Sequence, residues 1–279
     1  MRNRPDGRIV ESIKGKMQGN WPDKKQCGLI LSGGGVRGMA HIGILEVLKE
    51  YELQPHWVSG SSVGALIGAL YAQDASSKEM LAFFKNTPLF RYSFFSLSKP
   101  GLLNTDRYFD LFKAQWPENS FESLRRPLYV AATDLLNGDV VYFHQGELIP
   151  ALLASAALPP IFSPVQIGKG LYADGGIMDN FPRSPLEEHV EFLVGSNVSV
   201  IETVEKKAIS SSFQLTNRTT SLMLYAINKE RIIKSDLLFE PLNLEKINVL
   251  DKAGIEKAYQ IGKDYARKVM DDYLKDQAS

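Results

Sequence analysis

From residue 27 onward the chain alternates short apolar runs with stretches in which apolar residues return every three or four positions. Cys27-Gly28-Leu29-Ile30-Leu31 carries no charge, the pattern of a strand buried on both faces. After Ser32-Gly33-Gly34-Gly35-Val36-Arg37-Gly38, a helix from Met39 shows one apolar side through Ile42, Leu45, Leu48 and Tyr51. Pro55-His56-Trp57-Val58 leads into a second strand end, and Ala65, Leu66, Ile67, Gly68, Ala69 and Leu70 predict a buried helix behind it. Strand, helix, strand, helix in close succession requires a parallel sheet with helical cover.

Farther along, Ser77 to Asn86 predicts a short helix. Leu89 to Leu97 is dense in aromatics without clean alternation, and two readings stay open: rings that fill the core, or a flap lining an acyl-chain pocket with Lys85, Arg91 and Lys99 near lipid headgroups. Gly101 and Asn104 lead into a helix with Tyr108, Leu111 and Phe112. Pro127 to Thr133 predicts a buried strand, Asn137-Gly138 a tight turn and Val140 to Phe143 its hairpin partner. A helix over Glu147 to Leu158 ends at Pro159-Pro160, and Gly170 to Asp174 reads as a strand with a carboxylate at its tip. Phe192-Leu193-Val194 predicts a further strand. Leu222 to Leu238 and Ile255 to Leu274 have helical spacing with mixed charge; Lys229, Arg231 and Lys234 belong to a solvated face or meet an anionic surface. No repeat or linker splits the chain. Three parts are expected: a polar arm over 1–26, a core over 27–196, and a C-terminal helical part over 197–279 packed on the same domain.

Composition narrows the class. With 279 residues, 44% hydrophobic and 23% charged, the chain fits one large α/β domain. Lys+Arg and Asp+Glu number 32 each, so no global field steers it toward nucleic acid. The single cysteine, Cys27, excludes an intrachain disulfide and sits in an apolar strand, as a buried structural thiol would. Residues 1–26 hold seven Lys/Arg against three Asp/Glu; a loosely held arm is preferred over a membrane contact. They contain no apolar signal core, and the chain has no run of about 18 apolar residues, so a cytoplasmic protein without a membrane span is expected.

Gly60-Ser61-Ser62-Val63-Gly64 fits G-x-S-x-G at a strand-to-helix junction, where a turn would expose the Ser62 hydroxyl and a Cβ at either glycine would collide with its neighbours. Gly-Ser turns are also common punctuation. Gly33, Gly34 and Gly35 lie at another such junction, where converging amides form an anion receptor. It is a phosphate-binding turn or an oxyanion hole; G-x-G-x-x-G is not matched and no Gly-Lys-Ser/Thr ending follows. In the second reading Gly34 and Gly35, joined by Val63, stabilise the charge that develops when Ser62 attacks an ester carbonyl. Arg37 opposes the helix dipole, so it faces an anionic ligand or fixes the loop. Asp174-Gly175 is a simple turn or the site of a second catalytic group. A serine needs a base, and of His41, His56, His144 and His189 only His189 comes late enough for the order Ser-Asp-His, without a glycine-rich loop to carry it. A Ser-Asp pair is left.

These residues resemble the patatin-like phospholipases. Gly33-Gly34-Gly35-Val36-Arg37-Gly38, Gly60 to Gly64 and Asp174-Gly175-Gly176 match the family's three ordered motifs, and Ala154-Ser155, Pro159, Pro164 and Asn180-x-Pro182 match lesser blocks. The resemblance covers roughly residues 27 to 196. It implies a three-layer α/β/α sandwich with a mainly parallel sheet, Ser62 as nucleophile, Asp174 as base, and an oxyanion hole from Gly33, Gly34, Gly35 and Val63. Arg37 would position substrate or loop. Lipid acyl esters would be hydrolysed with no metal and no cofactor, with peripheral membrane contact and no nucleic-acid partner. An acyltransferase or thioesterase using the same pair, a lipid-binding module without chemistry, and lastly a nucleotide-binding protein are the alternatives.

Overall fold

The computed structural model of the 279-residue chain describes residues 21–87, 108–159, 161–201, 203–247, 249 and 252–277. The aromatic stretch over 89–97, Lys99, Gly101, Asn104 and most of the N-terminal arm lie outside the described residues. Among the described residues eight strands make one sheet: β1 (Cys27–Leu31), β2 (Trp57–Ser61), β3 (Leu128–Asp134), β4 (Asp139–Phe143), β5 (Val165–Ile167), β6 (Gly170–Asp174), β7 (Phe192–Ser196) and β8 (Leu237–Phe239). The order is β5-β6-β3-β2-β1-β7-β8, with β4 also paired to β3. Strands β3, β2, β1, β7 and β8 are parallel, whereas β4 and β6 run antiparallel to β3, and β5 antiparallel to β6. The sheet is therefore mostly parallel, with a short antiparallel annex on the side that holds Asp174.

Among the described residues seven α-helices accompany it: α1 (Met39–Glu50), α2 (Val63–Ala72), α3 (Ser77–Asn86), α4 (Phe109–Gln115), α5 (Leu148–Ser155), α6 (Ser212–Ile232) and α7 (Ile255–Gln277). Cover on the two faces is unequal. In β1, Leu29 and Leu31 point into the large core shared with α1 through α5 and α7, while Ile30 points into a small cluster with Phe181, Leu186, Leu193 and Ile232. That second face is roofed by a short 3₁₀ turn at Ser184–Leu186 and the end of α6.

Helix α7 seals the larger face against α1. A Cβ on Gly43 would lie 2.3 Å from the Tyr259 carbonyl oxygen, and one on Gly262 2.2 Å from that of Ala40, so the two backbones approach as closely as two glycines permit. Charges along the seam are paired: Lys263 Nζ meets Glu46 at 2.6 Å and Arg267 meets Glu50 at 3.1 Å. Among the described residues no helix is long and apolar enough to cross a membrane.

Three boundaries differ from the periodicity. The helix expected over 222–238 runs Ser212–Ile232, and Leu237–Phe239 is the edge strand β8, so the C-terminal part is not purely helical. A three-residue strand is too short to declare a period of two. The helix expected to reach Leu158 stops at Ser155, four residues before Pro159, because the chain must turn to run into β5 and β6.

Candidate active site

Strand β2 delivers the chain to Ser62, whose backbone sits at φ 54°, ψ −126°, a conformation that costs a side-chain-bearing residue about 1–3 kcal/mol. The surroundings hold it there. Cβ atoms on Gly60 and Gly64 would lie 2.6 Å from the Gly64 carbonyl carbon and 2.2 Å from the Leu31 carbonyl oxygen, so only glycine lets α2 turn back this tightly over β2 and β1. The Ser62 amide donates to Ser155 Oγ at 2.9 Å, and Ser155 is buried at the end of α5.

Asp174 reaches the same point by sheet register. Strand β4 occupies one edge of β3 across Val130 to Asp134. The other edge is shared in succession: Ser61 lies opposite Ala131, and Asp174 opposite Ala132. Strand β6 thus takes up the edge where β2 leaves it, which places position 174 beside position 62 although 112 residues separate them. Ser62 Oγ donates to Asp174 Oδ2 at 2.7 Å, and the Gly176 amide donates to Oδ1 at 2.8 Å. Burial of the carboxyl lifts its pKa from 3.8 to about 6, against the two donated hydrogen bonds, which lower it.

The glycine loop after β1 is fixed from several sides. His41 is fully buried in α1, with Nε2 on the Ser32 carbonyl at 2.9 Å and Nδ1 on Ser196 Oγ at 2.7 Å. Burial holds this ring down to a pKa of about 4, and Nε2, facing a carbonyl, carries the proton. Gly33, expected in an oxyanion hole, has its amide engaged within the fold. Its amide donates to the Asn180 carbonyl at 3.3 Å, its carbonyl accepts from Ser199 Oγ at 2.6 Å, and Asn180 fills the space beside its Cα. Gly34, Gly35 and Val63 line the cavity with Ser62, and among the described residues no hydrogen bond uses the amides of Gly34 or Gly35. Val63, the first residue of α2, has no intrahelical acceptor for its amide. Arg37 is not among the residues that line this cavity; its Nε donates to the Ile247 carbonyl at 2.8 Å, which anchors the loop.

The cavity has a volume of about 500 Å³. Ser62 and Asp174 stand at one wall, and most of the rest is hydrocarbon, including Leu66, Phe112, Leu153, Phe162, Met223 and Ile227. Three polar residues of the site carried no assigned role in the motifs: Ser155, Asn180 and Ser199. The first two fall in the lesser blocks, which offered a signal; Ser199 stands in a segment without any motif.

None of the histidines joins the pair. His189 stacks on Trp57 with ring centroids 4.2 Å apart and meets the Tyr129 hydroxyl at 3.0 Å, at the beginning of β2 and β3 and so at the opposite end of the sheet from Ser62. His144 stacks on Tyr129 and His56 precedes β2. Among the described residues, no group of three or more His, Cys, Asp and Glu side chains could hold a metal ion.

Residues 29–186 match the family described as patatin-like phospholipase. An uncharacterized NTE family protein of Mycobacterium tuberculosis is 34% identical over 162 residues, which is 57% of this chain and 44% of the relative. The lysophospholipase NTE1 of Cryptococcus neoformans is 27% identical over 176 residues, 59% of this chain and 10% of the relative. The chain therefore spans less than half the length of these curated relatives. The crystal structure of VipD from Legionella pneumophila superposes with a TM-score of 0.58 at 15% identity, covering 89% of this chain and 67% of that one, a likeness of fold. The family match runs from within β1 past β6 and takes in the glycine loop, Ser62 and Asp174, more than half of the sequence, and the chain belongs to the patatin-like phospholipase family.

Proposed function

We propose that the protein is a serine acyl hydrolase that cleaves carboxylic esters of phospholipids or lysophospholipids through Ser62 and Asp174. The observation that carries this reading is the 2.7 Å hydrogen bond between the strained Ser62 and the buried Asp174, made at the wall of an apolar cavity.

In this reaction the ionised Asp174 withdraws the hydroxyl proton as Ser62 Oγ attacks the ester carbonyl carbon. The carbonyl π pair moves onto oxygen, and the amides of Gly34, Gly35 and Val63 receive the resulting charge beside the positive end of α2. When the tetrahedral species collapses, the C–O bond to the alcohol breaks and the alcohol leaves with the proton held by Asp174. The acyl group remains on Ser62. Water then attacks that ester, giving its proton to Asp174, and the acid departs as Ser62 Oγ is reprotonated. An aspartate with an ordinary pKa would be a feeble base near neutral pH; desolvation to about 6 brings Asp174 toward the working range while leaving it mostly ionised at pH 7.

The hydrocarbon wall supports a fatty acyl chain as the substrate part held in the cavity. Testing requires purified protein and its Ser62→Ala variant with lysophospholipid, diacyl phospholipid, triacylglycerol and a short p-nitrophenyl ester, following free acid and transfer to added alcohol or thiol. Release of free fatty acid by the wild type and none by the variant is expected. Turnover that survives in Ser62→Ala, or acyl product found only on an acceptor, would contradict the hydrolase.

A further inference from the structure

Helix α6 is attached differently from every other long element among the described residues. Of its described side chains only Asn228 and Ile232 are buried, both near its C-terminus, where Arg231 also pairs with the buried Asp179 at 2.8 Å. Earlier along the helix the apolar residues face outward: Leu215 is 51% exposed, Leu222 43%, Met223 66% and Ile227 51%. At 3.6 residues per turn, positions 215, 219, 222, 223, 226 and 227 fall within ~140° of the helix circumference. The stripe does not end at the surface, because Met223, Leu224 and Ile227 also line the cavity that holds Ser62 and Asp174. Hydrocarbon thus runs without interruption from the outer face of α6 to the wall of the site.

The sequence around the stripe is net positive. Between 202 and 236 it carries Lys206, Lys207, Arg218, Lys229, Arg231 and Lys234 against Glu202, Glu205, Glu230 and Asp236, in a chain whose formal net charge is zero, and Lys207 pairs with Glu205 as Arg231 does with Asp179. Exposed hydrocarbon flanked by cations is the combination that holds a helix in the plane of an anionic lipid surface. A second copy of the chain would bring the same cations to the contact, so self-association through this face is opposed by like charge.

We propose that α6 is the surface by which the protein seats itself on an anionic lipid–water interface, with the cavity mouth turned toward the lipid. The purpose of this contact rests on the acyl hydrolase proposed above, since an acyl chain could then pass from lipid to cavity without crossing water. The contact itself does not depend on chemistry, and its test separates the two.

The Ser62→Ala protein is mixed with vesicles of phosphatidylglycerol and phosphatidylcholine, or of phosphatidylcholine alone, and floated on a density gradient. Binding to the anionic vesicles that falls steeply with added salt is expected, with little binding to the neutral ones. In the same background, Leu215→Asp and Leu222→Asp should each weaken vesicle binding about tenfold, and Lys206→Glu with Lys207→Glu should weaken binding to anionic vesicles only. With Ser62 restored, Leu215→Asp and Leu222→Asp should leave hydrolysis of a soluble p-nitrophenyl ester within about twofold of wild type, since neither residue lines the cavity. Absent vesicle binding, binding indifferent to all of these substitutions, a dimer that Leu222→Asp dissociates, or equal loss of soluble-ester hydrolysis would overturn the proposal. Vesicle binding as expected without ester turnover by the wild type would leave this surface standing and remove the hydrolase.

Discussion

Strands β2 and β3 carry reactive types of side chain at both ends, and the two ends behave differently. Where the strands begin, Trp57, Tyr129, His144 and His189 form a stack of rings, with His144 and His189 exposed to water. Where β2 finishes, the half-buried Ser62 meets the buried Asp174. By residue type alone the histidine end is the better equipped for proton transfer. It lacks what the other end has: a backbone held at positive φ, a carboxyl whose pKa is moved by burial, and an apolar wall. On the proposed reaction, the difference teaches that desolvation and strain, not the ordinary basicity of a group, would fit these strands for acyl chemistry at one end only.

The largest expected contrast comes from removing each nucleophile or base in turn. Ser62→Ala should lower kcat for a short p-nitrophenyl ester by about 10³–10⁶-fold, and His189→Ala should leave it within about twofold. A large loss in His189→Ala would reverse the roles of the two ends. Asp174→Asn should cost about 10²–10⁴-fold in kcat. It should also stabilise the fold, and the sign follows from the raised pKa. Asp174 binds its proton more tightly in the native protein, so its favourable contribution is complete below pH 3.8 and is lost as pH rises through about 6. At pH 8 the asparagine variant should therefore be more stable than wild type by up to about 3 kcal/mol, and near pH 3.5 no more stable, by urea unfolding at the two pH values.

Smaller effects sharpen the same comparison. Ser155→Ala leaves the half-buried Ser62 amide without its acceptor and loosens the turn; kcat should fall about 10- to 100-fold with KM little changed, measured on the soluble ester. At the other end, His189→Ala removes a ring stack in water, and thermal unfolding should register only about 0.5–1 kcal/mol.

Much of the frame was legible because it is local. The apolar run at 27–31 is β1, and the helix over 77–86 begins where Ser76 and Glu79 form a reciprocal cap. The turn at Ser62 was legible for the same reason, since its glycines answer to contacts within a few residues. The approach of Asp174 was not. It follows from β6 continuing the line of β2 along β3, a register between segments more than a hundred residues apart; the sequence offered only an aspartate at a strand tip, the lack of a suitable histidine and the motif resemblance. Gly33 looked equivalent to Gly34 and Gly35 in sequence, yet the carbonyl of Asn180 takes its amide. Helices α6 and α7 make a similar pair. Both have amphipathic spacing, but α7 finds α1 through Gly43 and Gly262, whereas the stripe on α6 stays exposed, and periodicity states an apolar face without naming what covers it.

The coupling of Ser62 to Asp174 is tested most directly by the rate at which a fluorophosphonate labels Ser62 across pH 4 to 8. If Asp174 activates the hydroxyl, the rate should rise with pH through an apparent pKa of about 6, and in Asp174→Asn it should be at least about 100-fold slower and flat with pH. Wild-type labelling that shows no inflection near that value, or an Asp174→Asn protein labelled as fast as wild type, would contradict the dyad.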